Sequence, residues 1–348
     1  MEHLIATAKA LGASDLHLVH GLPPKLRLNG TITSLDGAAP LSHEDCEAYA
    51  DALSQGKASA IRETGELDLA RTIAGVRVRI NLFRQKGHVS AAVRLLSDQI
   101  PAMDSLGLPP VVPDLIRLRR GIVLVTGETG SGKSTTLAAL LDAINHQIGG
   151  HIVTLEDPIE YLYTPDLAII NQREIGKDTF SYATGLRAAL REDPNVILIG
   201  EMRDLDTIET ALTAAETGHL VFATLHTGSS ADAVDRMVAV FPQGRQQQIR
   251  MQLSMTLQAV LSQQLLPRAD GTGRVLACET MVVNAAIRNL IREGKTPQIA
   301  NALATSAKEG SLTMDNAILR LYQTRVISAA TAKSWARDPA YLQKFIHG

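Results

Sequence analysis

Gly127-Glu128-Thr129-Gly130-Ser131-Gly132-Lys133-Ser134-Thr135 is the stretch that decides the fold. It fits the phosphate-loop pattern G-x-x-x-x-G-K-[ST] at every fixed position. An apolar run, Ile122–Val125, precedes it, and a helix-like run, Thr135–Ile144, follows. Strand, loop and helix in that order are what the motif requires. Gly127, Gly130 and Gly132 let backbone N–H groups turn toward phosphate oxygens, and the helix start adds the positive end of its dipole. Residues 127–135 are therefore expected to hold a nucleoside triphosphate. Lys133 should reach the β/γ-phosphates, and the Ser134 hydroxyl should ligate Mg2+. The bland alternative, a Gly-rich turn with a chance Lys-Ser pair, does not account for the flanking elements.

Outward from the loop, short apolar runs alternate with helix-like runs. The apolar runs are Ile122–Val125, Ile152–Leu155, Val196–Ile199 and Leu220–Thr224. This predicts a largely parallel sheet with helices on both faces. Beyond about Gln243 the chain reads as mostly helical. Val196 to Glu201 has Walker B form, an apolar strand ending in an acid, but Gly200 stands where the Mg-directed Asp is usual. Glu201 must then serve the Mg2+ shell, the attacking water, or both. Glu156, Asp157 and Glu160 follow another strand, and Pro158 puts them on a loop. Ligands of parallel sheets sit at the carboxyl ends of strands, so one of these acids can orient water for attack on the γ-phosphate. A solvated acidic turn is the alternative. His219 and His226 bracket the run Leu220–Thr224. His226, at its C-terminal end, is the better γ-phosphate sensor; His219 is open between a structural and a functional role.

The first 97 residues read as a small α+β domain. Short strands are expected at His17–Val19, Lys25–Leu28 and Thr31–Leu35, a helix capped by Ser42 at His43–Leu53, and three strands within Glu66–Leu96. Residues 98–118, with Pro101, Gly107, Pro109, Pro110 and Pro113, read as an interdomain linker before a second domain at 119–348. A hairpin turn at Lys86-Gly87 would set Ile80 against Val93, Val78 against Leu95, and Leu82 against Ala91. The same register opposes Arg79 and Arg94 on the polar face. Directly opposed like charges destabilise a sheet unless an anion lies between them. Arg79 and Arg94 are thus expected to bind a phosphate, that of a neighbouring subunit's nucleotide, unless they belong to an ordinary basic strand face.

The net charge of −2 provides no basic field for nucleic acid, and 3% aromatic content offers little base stacking, which disfavours a DNA-translocating motor. The two cysteines, Cys46 and Cys278, form no metal or disulfide framework, as fits a reducing cytoplasm. The N-terminus does not read as a signal peptide. No apolar run reaches about 18 residues, so membrane association is expected only through protein partners.

Beside GETGSGKST stand ASDLH (13–17), LEDPIEY (155–161), GEMRD (200–204) and GHLVFATLHT (218–227). On these motifs nearly the whole chain resembles the type II/type IV secretion ATPases. By Ala286-Ile287-Arg288-Asn289-Leu290-Ile291-Arg292-Glu293 it resembles, within them, the retraction ATPases of type IV pili. Physically, that last stretch is an amphipathic helix with Ile287, Leu290 and Ile291 on one face and Arg288 and Arg292 on another. The resemblance implies an α/β fold: a PAS-like α+β N-terminal domain, then a RecA-like P-loop NTPase domain with a helical C-terminal part. It implies a homo-hexameric, Mg-dependent ATPase driving pilus retraction and twitching motility. Glu160 would be general base, Glu201 would support Mg2+ through water, and Arg79 and Arg94 would be arginine fingers. The implied partner is a pilus platform protein, at the cytoplasmic face of the inner membrane. The rivals are a pilus assembly or type II secretion ATPase of the same superfamily, and a low-turnover nucleotide-switched regulator. Assembly motors usually carry a cysteine-rich metal insert and a long N-terminal extension, and neither is found in this sequence.

Overall fold

The computed structural model describes residues 1–28, 30–96 and 99–346. The expected domain boundary at 97 and 98 falls outside them. The chain forms two compact units, one of residues 1–99 with 158–162, the other of residues 100–157 with 163–348.

In the first unit, α1 (Glu2–Ala10), α2 (His43–Ser54) and α3 (Ala60–Thr64) accompany six strands. These are β1 (Asp15–Leu18), β2 (Lys25–Leu28), β3 (Thr31–Ser34), β4 (Glu66–Ile73), β5 (Val76–Gln85) and β6 (His88–Leu95). They pair antiparallel in the order β3-β2-β1-β6-β5-β4. Ser42 starts α2 with a capping box: its Oγ accepts from Asp45 N at 3.1 Å, and its own N–H donates to Asp45 Oδ2 at 2.8 Å. The β5–β6 register pairs Ile80 with Val93, Val78 with Leu95, Leu82 with Ala91 and Arg79 with Arg94, as the hairpin reading expects. Val78, Ile80, Leu82 and Val93 are buried with Ile5 and Leu53 of the helices. Period-2 alternation leaves Asp15, Arg27, Arg77, Arg79 and Arg94 on the opposite face of the sheet.

The second unit is built on β7 (Gly121–Thr126), β8 (Gly150–Glu156), β9 (Ala168–Glu174), β10 (Val196–Ile199), β11 (Leu220–Leu225), β12 (Leu257–Pro267) and β13 (Arg274–Val282). Their order is β13-β12-β7-β11-β10-β8-β9, with every neighbouring pair parallel except β12–β13. The helices are α4 (Val112–Leu115), α5 (Lys133–Gln147), α6 (Tyr182–Ala189), α7 (Leu205–Glu216), α8 (Ser230–Ala239), α9 (Gln243–Thr256), α10 (Ala285–Arg292), α11 (Ile299–Thr305), α12 (Met314–Gln323), α13 (Ala329–Trp335) and α14 (Pro339–Gln343). Both sheet faces are covered. Val123 and Val125 pack with Leu137, Leu140 and Leu141 of α5, while Ile122 and Leu124 join a core containing α7, α8 and α9.

Two expectations need correction. The region beyond Gln243 is not helical throughout, because β12 and β13 extend the main sheet through residues 257–282. Leu257, Val260, Leu261 and Leu265 fall at helix-compatible spacing. In the sheet, Leu257 and Val260 enter one core while Ala259 and Leu261 enter the other. A strand buried on both faces loses its alternating signature. The segment 98–118 is also more than a linker. Its α4 and following turn bury Val112, Leu115 and Ile116 in the core beside α5.

Candidate nucleotide site

β7 delivers the chain into Gly127, whose φ is 141°. A Cβ there would lie 2.5 Å from both the Gln263 carbonyl oxygen and Ser131 Oγ. The first glycine is thus required by the close approach of β12 as well as by its dihedral. Gly132, at φ 95°, is the N-cap of α5. Lys133 is only 8% exposed, and its Nζ donates to the carbonyls of Gly127 at 2.7 Å and Glu128 at 2.9 Å. The ammonium is folded onto the loop it serves. Glu128, Thr129, Gly130 and Ser134 are exposed, and Thr135 is partly buried. Below the loop, Gln263 Nε2 donates to Thr136 Oγ1 at 2.8 Å. Ser131 Oγ and Gln263 Oε1 are buried without a partner among the described residues. Buried polar atoms left unpaired are costly. An orphaned hydroxyl donor, a glycine cradle and a lysine at a helix N-terminus fit an anionic phosphate.

The acid strand ends next to this loop. In the sheet, Leu225 of β11 is the neighbour of Thr126 of β7, and Ile199 of β10 neighbours Ala223. His226 and Glu201 therefore emerge at the same carboxyl edge as Gly127. His226 Nε2 lies 3.3 Å from Glu201 Oε1, and Arg203 Nε donates to the same oxygen. Burial pushes the Glu201 carboxyl up. The Arg203 hydrogen bond and the positive charges of His226 and Arg203 outweigh it, so the group ends below its ordinary value. A Cβ at Gly200 would come within 3.0 Å of Tyr182 Oη and 3.1 Å of the Leu155 carbonyl. Any side chain at position 200 would therefore be tightly packed against the end of β8. Burial, followed by the charges of Asp157, Glu201 and Glu156, raises the Tyr182 hydroxyl far above its usual range, so it stays a neutral donor.

The three acids at and beyond the end of β8 separate. Glu156 accepts from Thr154 Oγ1 at 2.7 Å and Gln172 Nε2 at 3.3 Å, which commits it to the strand end. Asp157 is exposed and influences Tyr182 and Arg203. Glu160 falls in residues 158–162, which group with the first unit, where Arg77 Nε donates to the Ile159 carbonyl at 3.2 Å.

His219 does not join the site. It stands before β11, at the opposite end from the phosphate loop, and its Nδ1 lies 2.9 Å from the Ala214 carbonyl of α7. A six-residue strand separates the two edges by about 20 Å. Arg79 and Arg94 are directly opposed, yet the anion beside Arg94 is internal: its Nε donates to Asp15 Oδ1 at 3.2 Å, and Arg27 Nε lies 3.4 Å from Asp15 Oδ2. Arg79 is exposed and makes no ion pair among the described residues. On α10, Ile287 and Ile291 are buried as expected. Arg288 donates to the Ser254 and Met255 carbonyls at 2.7 and 3.1 Å, capping the end of α9. Arg292 is exposed.

Sequence reading missed Gln263, Tyr182, Arg203 and Asp15. Arg203 and Asp15 lie inside motifs already singled out, and for Arg203 the charge beside Glu201 was an available signal. Gln263 and Tyr182 are distant in sequence and carry no local signal.

The family model described as "Type II/IV secretion system protein" matches residues 75–332. The "Type IV pilus retractation ATPase PilT" of Pseudomonas aeruginosa is 44% identical over 338 residues, 97% of this chain and 98% of that protein. The "Twitching motility protein" of Neisseria gonorrhoeae is 41% identical over 316 residues, 90% of this chain and 84% of that protein. A crystal structure of the pilus retraction motor PilT with bound ADP superposes with a TM-score of 0.92 at 45% identity, covering 99% of both chains.

Gly127→Ala should weaken nucleotide binding, with ADP affinity in fluorescence or calorimetric titration falling at least tenfold, a loss of about 1.4 kcal/mol or more. Arg203→Ala should raise the Glu201 pKa, since burial is then opposed by His226 alone. Carboxyl-carbon NMR would follow that titration. In the parent protein the stabilisation from ionised Glu201 is present above the unfolded carboxylate range and is lost as pH falls through the lowered folded value.

Proposed function

The chain belongs to the type II/IV secretion system protein family, and from that membership we propose that it is the ATP-hydrolysing motor of type IV pilus retraction. The observation carrying this reading is end-to-end similarity to a pilus retraction ATPase in a chain whose phosphate loop, Glu201 and His226 share one sheet edge. The first unit is read as PAS-like and the second as RecA-like.

The reaction is ATP plus water to ADP plus phosphate. The glycine cradle and the N-terminus of α5 bind the phosphates, and Lys133 exchanges the Gly127 and Glu128 carbonyls for phosphate oxygens. Bound Mg2+ supplies positive charge that offsets what develops on the transferring phosphoryl group. Ser134 would hold that ion directly, and Glu201 through water. Glu160 accepts the proton of the attacking water as general base. His226, on Glu201, reads whether a γ-phosphate is present.

In a homo-hexamer, Arg79 of one subunit completes the neighbour's site as an arginine finger. Its exposure and the absence of an ion pair to it among the described residues support this, and Arg94 stands beside it under the hold of Asp15. Energy from hydrolysis passes to a platform protein at the cytoplasmic face of the inner membrane. Among the described residues no helix is long and apolar enough to cross a membrane.

Turnover per protomer should rise with protein concentration. Arg79→Ala should lower it on the order of a thousandfold while the assembly persists in sedimentation. Unchanged turnover would remove Arg79 from the mechanism. A deletion strain should keep surface pili and lose twitching; a strain without pili would instead indicate an assembly motor.

A further inference from the structure

Glu279 of β13 is 6% exposed, and buried carboxylates persist only where they are paired. Its Oε1 accepts from Ser230 N and Ser230 Oγ, both at 2.8 Å. Its Oε2 accepts from Arg337 Nη1 at 2.6 Å and from Met314 N at 3.4 Å. Ser230 and Met314 open α8 and α12, so one carboxylate serves two helix N-termini. The other end of the Arg337 guanidinium donates to the Gly228 carbonyl. Asp315 fixes the Arg337 backbone, accepting from its N–H at 2.8 Å and from Asp338 N at 3.1 Å.

The place of these contacts is informative. Gly228 lies in the turn that connects His226 to α8 and Ser230 opens that helix, so the Glu279–Arg337 pair holds the turn at two points. A line of buried hydroxyls continues toward the phosphate loop. The Ser230 and Ser262 hydroxyls are 3.4 Å apart, and Thr126 Oγ1 donates to Ser262 Oγ at 2.8 Å. Thr126 immediately precedes Gly127 and is fully buried. The donors can all point one way, Thr126 to Ser262 to Ser230 to Glu279, and end on a charged acceptor, the arrangement in which successive bonds reinforce each other. Core packing alone would not require polar side chains at each of these positions.

We propose that Glu279 and Arg337 are positioning residues for hydrolysis. They hold the His226 turn in register with the start of the phosphate loop and tie both to α12, α13 and α14. The C-terminal helices thereby sense, and bias, the nucleotide state. This inference rests on the ATPase reading above.

The test uses the full-length assembled protein and three variants, Arg337→Gln, Arg337→Lys and Glu279→Gln. Amide hydrogen exchange over residues 226–230 is measured without nucleotide, alongside ADP binding, kcat and KM. Arg337→Gln should speed exchange at 226–230, leave ADP affinity within a few fold, and lower kcat on the order of a hundredfold, the cost of about 1 Å of misplacement. Arg337→Lys, which keeps the charge but reaches one acceptor, should recover part of kcat. Glu279→Gln should resemble Arg337→Gln. If Arg337→Gln proves unfolded, Ser262→Ala, which cuts the hydroxyl line, must still raise exchange at 226–230. Unchanged exchange there, or an equal loss of kcat and ADP binding without rescue by lysine, would overturn the proposal. Parent turnover no higher than that of Lys133→Ala would instead sink the ATPase reading, leaving the exchange result to stand by itself.

Discussion

Parallel hydrogen bonding of β7 to β11 on one side and β12 on the other determines where every group of the nucleotide edge can be. Register with β11 brings His226 beside the phosphate loop, and β11 in turn aligns β10 so that Glu201 arrives at the same level. Register with β12 brings the Gln263 carbonyl beneath Gly127, so closely that the loop's first residue can have no side chain. Displacing β7 by one residue would turn Val123 and Val125 into the core of Ile122 and Leu124 and move the loop out of reach of both neighbours. The apolar cores on the two faces of the sheet therefore act at a distance on the site: by penalising such a slip they hold the edge level.

Charge placement follows from that edge. Glu201 is accompanied by Arg203 and His226, Glu279 by Arg337, and Asp15 by Arg27 and Arg94, so these largely buried carboxylates have partners nearby. Arg79 differs, being exposed and without an ion pair among the described residues.

Much of this was readable from the chain because the relevant physics is local. The phosphate loop needs glycine dihedrals and a helix start in one short stretch. The β5–β6 register follows from alternating apolar residues around a two-residue turn, and it placed Arg79 opposite Arg94 without any long-range information. Legibility stopped where distant segments meet. β12 is buried on both faces, so its leucines fit helical and extended spacing alike. The partners Gln263, Tyr182 and Glu279 have no neighbours in sequence that hint at their contacts. Chain direction alone already favours His226 over His219 as the histidine on the phosphate side, and the parallel pairing of β11 with β7 puts His226 level with Gly127.

The crowding around Gly200 also bears on how this site could change over generations. An aspartate there would meet Tyr182 Oη first and the Leu155 carbonyl next. A lineage replacing the glycine would need those neighbours to give by a few tenths of an ångström, a packing cost met at the first step. Loss of the Tyr182 hydroxyl would remove the tightest of these contacts. The order in which the two positions change therefore alters the cost of each, whatever the merit of the glycine for the chemistry.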